Sequence, residues 1–454
     1  MSLNNAAQDS KRTRGLASSE KADPIGFAVS LLNRLAQSPA LDRFNLRKPA
    51  EKAVYSATKS GFQTVGAVSR QFARRGGKGS GTRVPSAKPT GVFDLTPGED
   101  EQMLVDVVTE LATEVVRPAA AEADEACEAP RELLAAANEI GLPILGVADE
   151  LGGIATERSA VAGTLVAEAL GKGDMGLAVS VLAPAAVSTA LSLWGTEEQQ
   201  ATYLPAFTES EDNVPAAALA LAEPRPLFDP RELETVAARQ GDGFVLNGVK
   251  SGVPRGHDAE LFVVGAMLEG KPHLFIVESS TEGLTVENDP SMGVRAAGIS
   301  RLVLQDVSVG SISPLGDAET YLEAVRLSRL GWCALAVGTA QAVLDYVTPY
   351  VNEREAFGEP VSHRQSVAFM VANIAIELQG MRLATYKAAA RAAQGKDFSR
   401  EVALARKLCS DHGMRIGLDG VQLLGGHGYV KEHPVERWYR DLRAVAVMEG
   451  GVLV

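Results

Sequence analysis

Cysteine is scarce in this chain: three in 454 residues, at Cys127, Cys333 and Cys409, far apart and odd in number. That excludes a disulfide framework and a cysteine-based zinc ribbon, and a reducing compartment is the expected home. Histidine is nearly as sparse, six in all with no i, i+4 pair and no His-Glu-x-x-His, so no metal centre is expected. A Gly-x-Ser-x-Gly elbow and a Walker loop are both missing. Unbroken apolar runs of about 18 residues are lacking too. The richest stretch, 177–191, is interrupted by Ser180, Pro184 and Ser188, and on that ground no membrane span is expected.

What the chain does contain is an ordinary globular composition, 46% hydrophobic and 22% charged, at a length that suggests about three structural units. The net charge of −13 conceals an asymmetry: residues 1–90 carry 16 Lys+Arg against 5 Asp+Glu, and the remainder 28 against 52. An acidic body argues against nucleic acid as a partner, because phosphate binding needs a basic face. The basic segment reads as two amphipathic helices over residues 24–76 followed by a flexible linker, Arg74-Arg75-Gly76-Gly77-Lys78-Gly79-Ser80-Gly81. Such helices suit a membrane surface, or packing on the chain's own acidic body or a sister subunit. A cleaved transit peptide is disfavoured by Asp9, Glu20 and Asp23.

Periodicity then divides the chain. Helical spacing starts near Asp94, where Leu104, Val107, Val108, Leu111 and Val115 form a stripe expected to end at Arg117-Pro118. Short apolar runs such as Leu261-Phe262-Val263-Val264 and Leu274-Phe275-Ile276-Val277, set between Gly, Asp and Asn turns, read as strands. Helical periodicity returns from Ala318. The expected architecture is therefore mainly α with an inserted β-domain: a basic extension and linker over 1–92, an α-helical domain over 93–213, a β-domain over 214–317 and an α-helical domain over 318–454.

Individual motifs are weak. Gly425-Gly426-His427-Gly428 resembles a phosphate cradle, but a glycine cluster after a helix is also an ordinary C-cap. The collinear series says more: Glu150-Leu151-Gly152-Gly153, Gly195-Thr196-Glu197-Glu198-Gln199, Glu223-Pro224, Asn247-Gly248 and Lys250, Arg354-Glu355-Ala356-Phe357-Gly358, Arg364-Gln365, Gln422 to Tyr429, Pro434-Val435-Glu436-Arg437, Tyr439-Arg440-Asp441, Glu449-Gly450. In order and spacing it closely resembles the acyl-CoA dehydrogenase family from about residue 95 to the end.

The resemblance implies a helical domain, a β-barrel-like middle domain and a C-terminal four-helix bundle, assembled as a homodimer or homotetramer around FAD. It implies α,β-dehydrogenation of a fatty acyl-CoA thioester, as in fatty acid β-oxidation, with electrons passed to an electron-transferring flavoprotein. An α-proton of a thioester is weakly acidic, so the base must be a positioned, desolvated carboxylate. By position that base is Glu449. A minority of the family place it just before the arginine at 329, where this chain has Ser328. Arg354 is expected on the FAD pyrophosphate of a neighbouring subunit, with Phe357 and Gln365 on the same cofactor and Gln422, Gly425 and Gly426 at its adenylate end. Arg329 and Gly450 are expected beside the acyl-CoA. Arg354 and the 422–426 segment are expected to serve one FAD only across two facing subunits.

The chain departs from the family at the flavin ring. The family's Thr-Glu-Pro-Gly-Ala-Gly-Ser-Asp loop reads Ala222-Glu223-Pro224-Arg225-Pro226-Leu227-Phe228-Asp229, and Trp-Ile-Thr-Asn-Gly reads Gly252-Val253-Pro254-Arg255-Gly256. The family's ring-bonding hydroxyl thus becomes a proline, which has no N–H either. Two expectations follow: a pocket rebuilt with Phe228, Arg225 and Arg255, or a non-catalytic or half-site subunit that assembles with an active partner. Arg326, where short-chain members carry an acid, implies either a cation near a bulky or anionic acyl group or a surface salt bridge. The sequence stops five residues after Glu449, where the family continues into a further helix, so a shortened chain or a longer parent is expected. A cytoplasmic protein is expected, held peripherally at the membrane through residues 24–76 and using a long-chain or lipid-like substrate.

Overall fold

The computed structural model describes residues 99–452, apart from 155–158, 210–213 and 226. The extension and linker expected over residues 1–92 lie outside the described residues.

The N-terminal helices are α1 (Glu99–Leu111), α2 (Arg117–Ala126), α3 (Arg131–Glu139), α4 (Ala160–Gly173), α5 (Met175–Trp194), α6 (Glu197–Tyr203) and the short α7 (Pro205–Thr208). The apolar stripe of α1 does not stop at Pro118. A π-helical turn at Ala112–Val116 carries the helix through into α2, with Pro118 as its second residue. The extra residue in that turn rotates the face: Val107 and Val115 end up exposed, while Val108, Val116 and Ala120 are buried. Local side chains set the other starts. Asp174 caps α5 by accepting from Leu177 N at 3.0 Å, and Thr196 with Gln199 forms a capping box at α6.

The middle segment forms one 8-stranded sheet, in the order β6-β7-β3-β2-β4-β5-β8 with β1 added to β4. Its strands are β1 (Ala217–Ala220), β2 (Val236–Gln240), β3 (Gly243–Val253), β4 (Leu261–Leu268), β5 (Lys271–Glu278), β6 (Leu284–Asn288), β7 (Ser300–Val309) and β8 (Pro314–Leu315). Lys250 of β3 is buried against Glu223 at 3.0 Å, with side-chain exposures of 0% and 1%. Glu223 also accepts from Glu234 N and Thr235 N, so the charges in this dry site are partnered.

The C-terminal unit comprises α8 (Ala318–Glu353), a hairpin of β9 (Glu355–Ala356) and β10 (Glu359–Pro360), α9 (Gln365–Ala393), α10 (Ser399–Leu424) and α11 (Val435–Asp441). Helices α4 and α8 cross with their backbones almost touching. A Cβ on Gly338 would sit 2.0 Å from Glu168 O, and one on Gly171 would sit 2.7 Å from Leu335 O. One core joins both helical domains through Leu170, Val337, Leu378 and Trp438, and a second joins Leu191 and Leu204 to Leu274 and Tyr321. Buried ion pairs lock the same junction: Arg440 grips Asp124 with two bonds of 2.9 and 2.8 Å, and Arg437 meets Asp174 at 2.8 Å.

Averaged hydropathy corrects one reading of the sequence. Without any unbroken apolar run, α5, α8 and α9 are still long and apolar enough to cross a membrane by length and composition. In α5 and α8, 72% of the apolar window is buried inside the protein, which accounts for its composition. In α9 only 17% is.

Candidate active site

The segment that follows α11 carries Glu449, and main-chain contacts set its course. Glu449 has φ +56° and Gly450 φ +99°, both in the left-handed region. Only glycine fits at 450, since a Cβ there would lie 2.8 Å from Phe228 O and 3.1 Å from Arg329 Nη2. Arg329, on α8, donates from Nε and Nη2 to Glu449 O at 3.1 and 2.7 Å. Arg406, on α10, donates from Nη2 to Met448 O and Gly450 O. Gly451 N donates to Phe228 O at 3.0 Å, which ties this segment to the 222–229 loop.

The Glu449 side chain is buried. Ser328 Oγ donates to its Oε1 at 2.8 Å and Trp332 Nε1 donates to the same oxygen at 3.3 Å. Ser328 and Trp332 stand one helical turn apart on α8, so one face presents both donors. No described residue donates to Oε2. Glu449 lines a cavity of about 320 Å³ whose walls are Gly163, Thr164 and Ala167 of α4, Leu182, Ala183 and Ala186 of α5, and Gly331 and Leu335 of α8. Ser251, Gly252 and Pro254 of the sheet domain close one side. The α5 lining runs from Val179 to Trp194, about 22 Å of helix at 1.5 Å per residue.

A second cavity, of about 560 Å³, gathers Arg354, Phe357, Gln422, Gly425 and Gly426, together with Tyr350, Arg364 and His427. Phe357 and Gly358 form the two-residue turn of the β9–β10 hairpin, both at positive φ (59° and 85°). A phenylalanine held there is strained, and its ring is 95% exposed with the Arg364 guanidinium 5.1 Å from its centroid. Nothing lies within 4 Å of a Cβ built on Gly425 or Gly426. Two guanidinium groups, an open aromatic face and bare backbone suit a dinucleotide's phosphates and base.

Several sequence expectations are relocated by this geometry. Arg354 and the 422–426 segment meet within one chain, so their convergence does not require a second subunit. Among the described residues none lines both cavities. Gln365 is exposed and lines neither, while Arg364 beside it does. Arg329 and Gly450 also line neither cavity; they shape the main chain around Glu449. Arg225 and Arg255 turn to Glu234 and Asp258 at 3.4 and 3.7 Å, and with Phe228 they stay off the Glu449 cavity. Arg326 makes the surface salt bridge, to Glu319 at 2.6 Å. Sequence reasoning missed Trp332, Arg364 and Arg406. The helical spacing from Ser328 was the one available signal for Trp332, and Arg406 had none.

The ring side of the Glu449 cavity has its main-chain donors committed elsewhere. Ser251 N donates to Ala222 O, Gly252 N to Asp289 Oδ2 and Arg255 N to Ala297 O, and Pro254 has no N–H. The residues present therefore fit the nucleotide end of FAD and leave the ring end without these donors. Among the described residues no cluster of three or more His, Cys, Asp or Glu could hold a metal.

Three family domains match most of the described region. Acyl-CoA dehydrogenase N-terminal, middle and C-terminal domains match residues 98–211, 218–307 and 319–451. The mitochondrial short-chain specific acyl-CoA dehydrogenase of Bos taurus is 31% identical over 362 residues, 78% of this chain and 87% of its own length. Butyryl-CoA dehydrogenase from Megasphaera elsdenii superposes with a TM-score of 0.73 at 27% identity, covering 80% of this chain and 97% of its own. A chain from a structure of the electron transferring flavoprotein of Acidaminococcus fermentans gives a TM-score of 0.73 at 29% identity, with coverage of 80% and 97%.

Proposed function

The chain belongs to the acyl-CoA dehydrogenase family, flavoprotein oxidoreductases acting on CH–CH bonds, and from that premise we propose that it dehydrogenates a fatty acyl-CoA thioester at its α,β-bond with Glu449 as base. The observation that carries this reading is the Glu449 carboxylate, buried at an apolar cavity with Oε1 held by Ser328 and Trp332. With Oε1 occupied, Oε2 is the oxygen that takes the α-proton. A positioned base near a desolvated substrate contributes about 10²- to 10⁴-fold. The apolar lining and its run along α5 suit a long acyl chain.

FAD is the proposed cofactor, with Arg354, Arg364 and Phe357 holding its nucleotide end beside Gly425 and Gly426. When bound, it supplies the two-electron acceptor for the β-position. An electron-transferring flavoprotein is the proposed onward acceptor, a reading supported by the Acidaminococcus fermentans structure. Assembly into a homo-oligomer is proposed from α9. Phe369, Ile376 and Leu383 recur every seven residues at 58%, 68% and 58% exposure, and a second copy would cover that stripe.

The committed donors around Pro254 favour a second reading, a subunit that assembles with an active partner and does not oxidise substrate alone. The visible spectrum of the purified protein separates the two. Flavin bands that bleach on adding an acyl-CoA support the enzyme. A protein that stays colourless with added FAD sinks it.

A further inference from the structure

Arg406 sits on α10 with only 2% of its surface exposed. Its Nη2 reaches the carbonyls of Met448 and Gly450, the residues on either side of Glu449, while Arg329 from α8 takes the carbonyl of Glu449 itself. Three successive peptide carbonyls are thus held by two guanidinium groups that approach from different helices. Nε and Nη1 of Arg406 have no hydrogen-bond partner among the described residues. Burial pushes its guanidinium down to about 10, the neighbouring Arg329 adds to that, and Glu449 opposes it. A buried cation with two unanswered donors is a costly way to secure a surface turn. Here it secures the peptide planes that flank Glu449, the one acidic side chain on the cavity wall among the described residues.

The strain explains the need. A glutamate in the left-handed region is strained and relaxes unless its surroundings over-determine it. If it relaxed, the peptide would rotate and carry the carboxylate away from Ser328 and Trp332. We propose that Arg406 is a positioning residue for the base: by fixing the carbonyls at 448 and 450 it holds Glu449 in the conformation that keeps Oε1 on Ser328 and Trp332 and the carboxylate at the cavity wall. This rests on the reading of Glu449 as base, and nothing in it depends on the cofactor.

The test is exchange of the α-hydrogens of decanoyl-CoA with D₂O, followed by mass spectrometry under anaerobic conditions on full-length protein with stoichiometric FAD. Glu449 takes the α-proton, its acid exchanges with solvent, and a deuteron returns to the same carbon; with the thioester in large excess, oxidation is limited to the one equivalent that the FAD can accept. For Arg406→Met the exchange rate at saturation falls about 100-fold, the expected scale for a misplacement near 1 Å, while the half-saturating concentration stays within twofold. Arg406→Lys, which keeps one cationic donor, recovers a tenth of the wild-type rate or more. Should Arg406→Met not fold, Arg406→Gln carries the comparison under the same limits. Wild-type exchange in a folded Met or Gln variant overturns the proposal. So does equal loss in the Lys and Met variants with the half-saturating concentration rising in step. A wild-type protein that exchanges nothing, or a Glu449→Gln variant that exchanges fully, overturns the base assignment itself and the proposal with it.

Discussion

Ser328 donates its hydroxyl to Oε1 of Glu449 at 2.8 Å, a contact between residues 121 positions apart in the chain. Where a minority of the family carry a carboxylate, this chain carries the donor that orients the carboxylate kept at the other position. The site thus holds the proposed base with hydrogen bonds to it from Ser328 and Trp332, and among the described residues no second carboxylate lines its cavity.

Replacing Ser328 by alanine removes a bond to a charged group, worth about 1.5–3 kcal/mol. Flavin bleaching by acyl-CoA at saturation is expected to slow about tenfold, with the half-saturating concentration within twofold. Ser328→Thr keeps the hydroxyl and most of the rate. Stopped-flow absorbance measures both, and an alanine variant at full rate would remove Ser328 from the site.

The Lys250–Glu223 pair makes a stability prediction. Lys250→Met strands a buried carboxylate, and breaking a buried pair from one side costs about 3–5 kcal/mol, read from the urea midpoint. Burial pushes Lys250 from 10.5 down to about 8, against the pull of Glu223. Between those values the unfolded chain binds more protons than the folded one, so stability from this group rises with pH across that window and is lost again on descending through about 8. The methionine variant should lack the rise. An unchanged alkaline limb contradicts the assignment.

Ile376→Asp places a charge in the centre of the α9 stripe. If a second copy covers that face, light scattering on eluting peaks shows an oligomer for the wild type and a smaller species for the variant. Identical masses put the interface elsewhere.

Residues 24–76 carry the proposal of peripheral membrane contact. Each Lys or Arg near an anionic surface contributes about 1 kcal/mol, so the full chain should float with anionic vesicles and a form beginning at Asp94 should not. Equal behaviour of the two assigns the extension to packing or oligomerisation.

The alternation of helical and strand periods separates the helical segments from the sheet segment in the sequence, because burial of one face repeats at a fixed spacing and leaves a readable trace. Glu449, Arg354, Phe357, Gln422, Gly425 and Gly426 are legible on a different ground: they belong to compact motifs of the collinear series, and the resemblance of that series, not periodicity, singles them out. Partner choice across elements leaves no such trace. That Arg329 turns to a main-chain carbonyl and that Arg406 grips Met448 and Gly450 from 42 and 44 positions away are decided where α8, α10 and the 448–450 segment meet; that Arg364 faces the second cavity and Gln365 does not is decided where the start of α9 meets the end of α10. The rotated stripe at Ala112–Val116 is of the same kind, since one extra residue in a turn changes every downstream direction while leaving composition untouched. Periodicity records which face is buried; which atoms meet across it depends on how the helices cross, and that is a property of the packed chain alone.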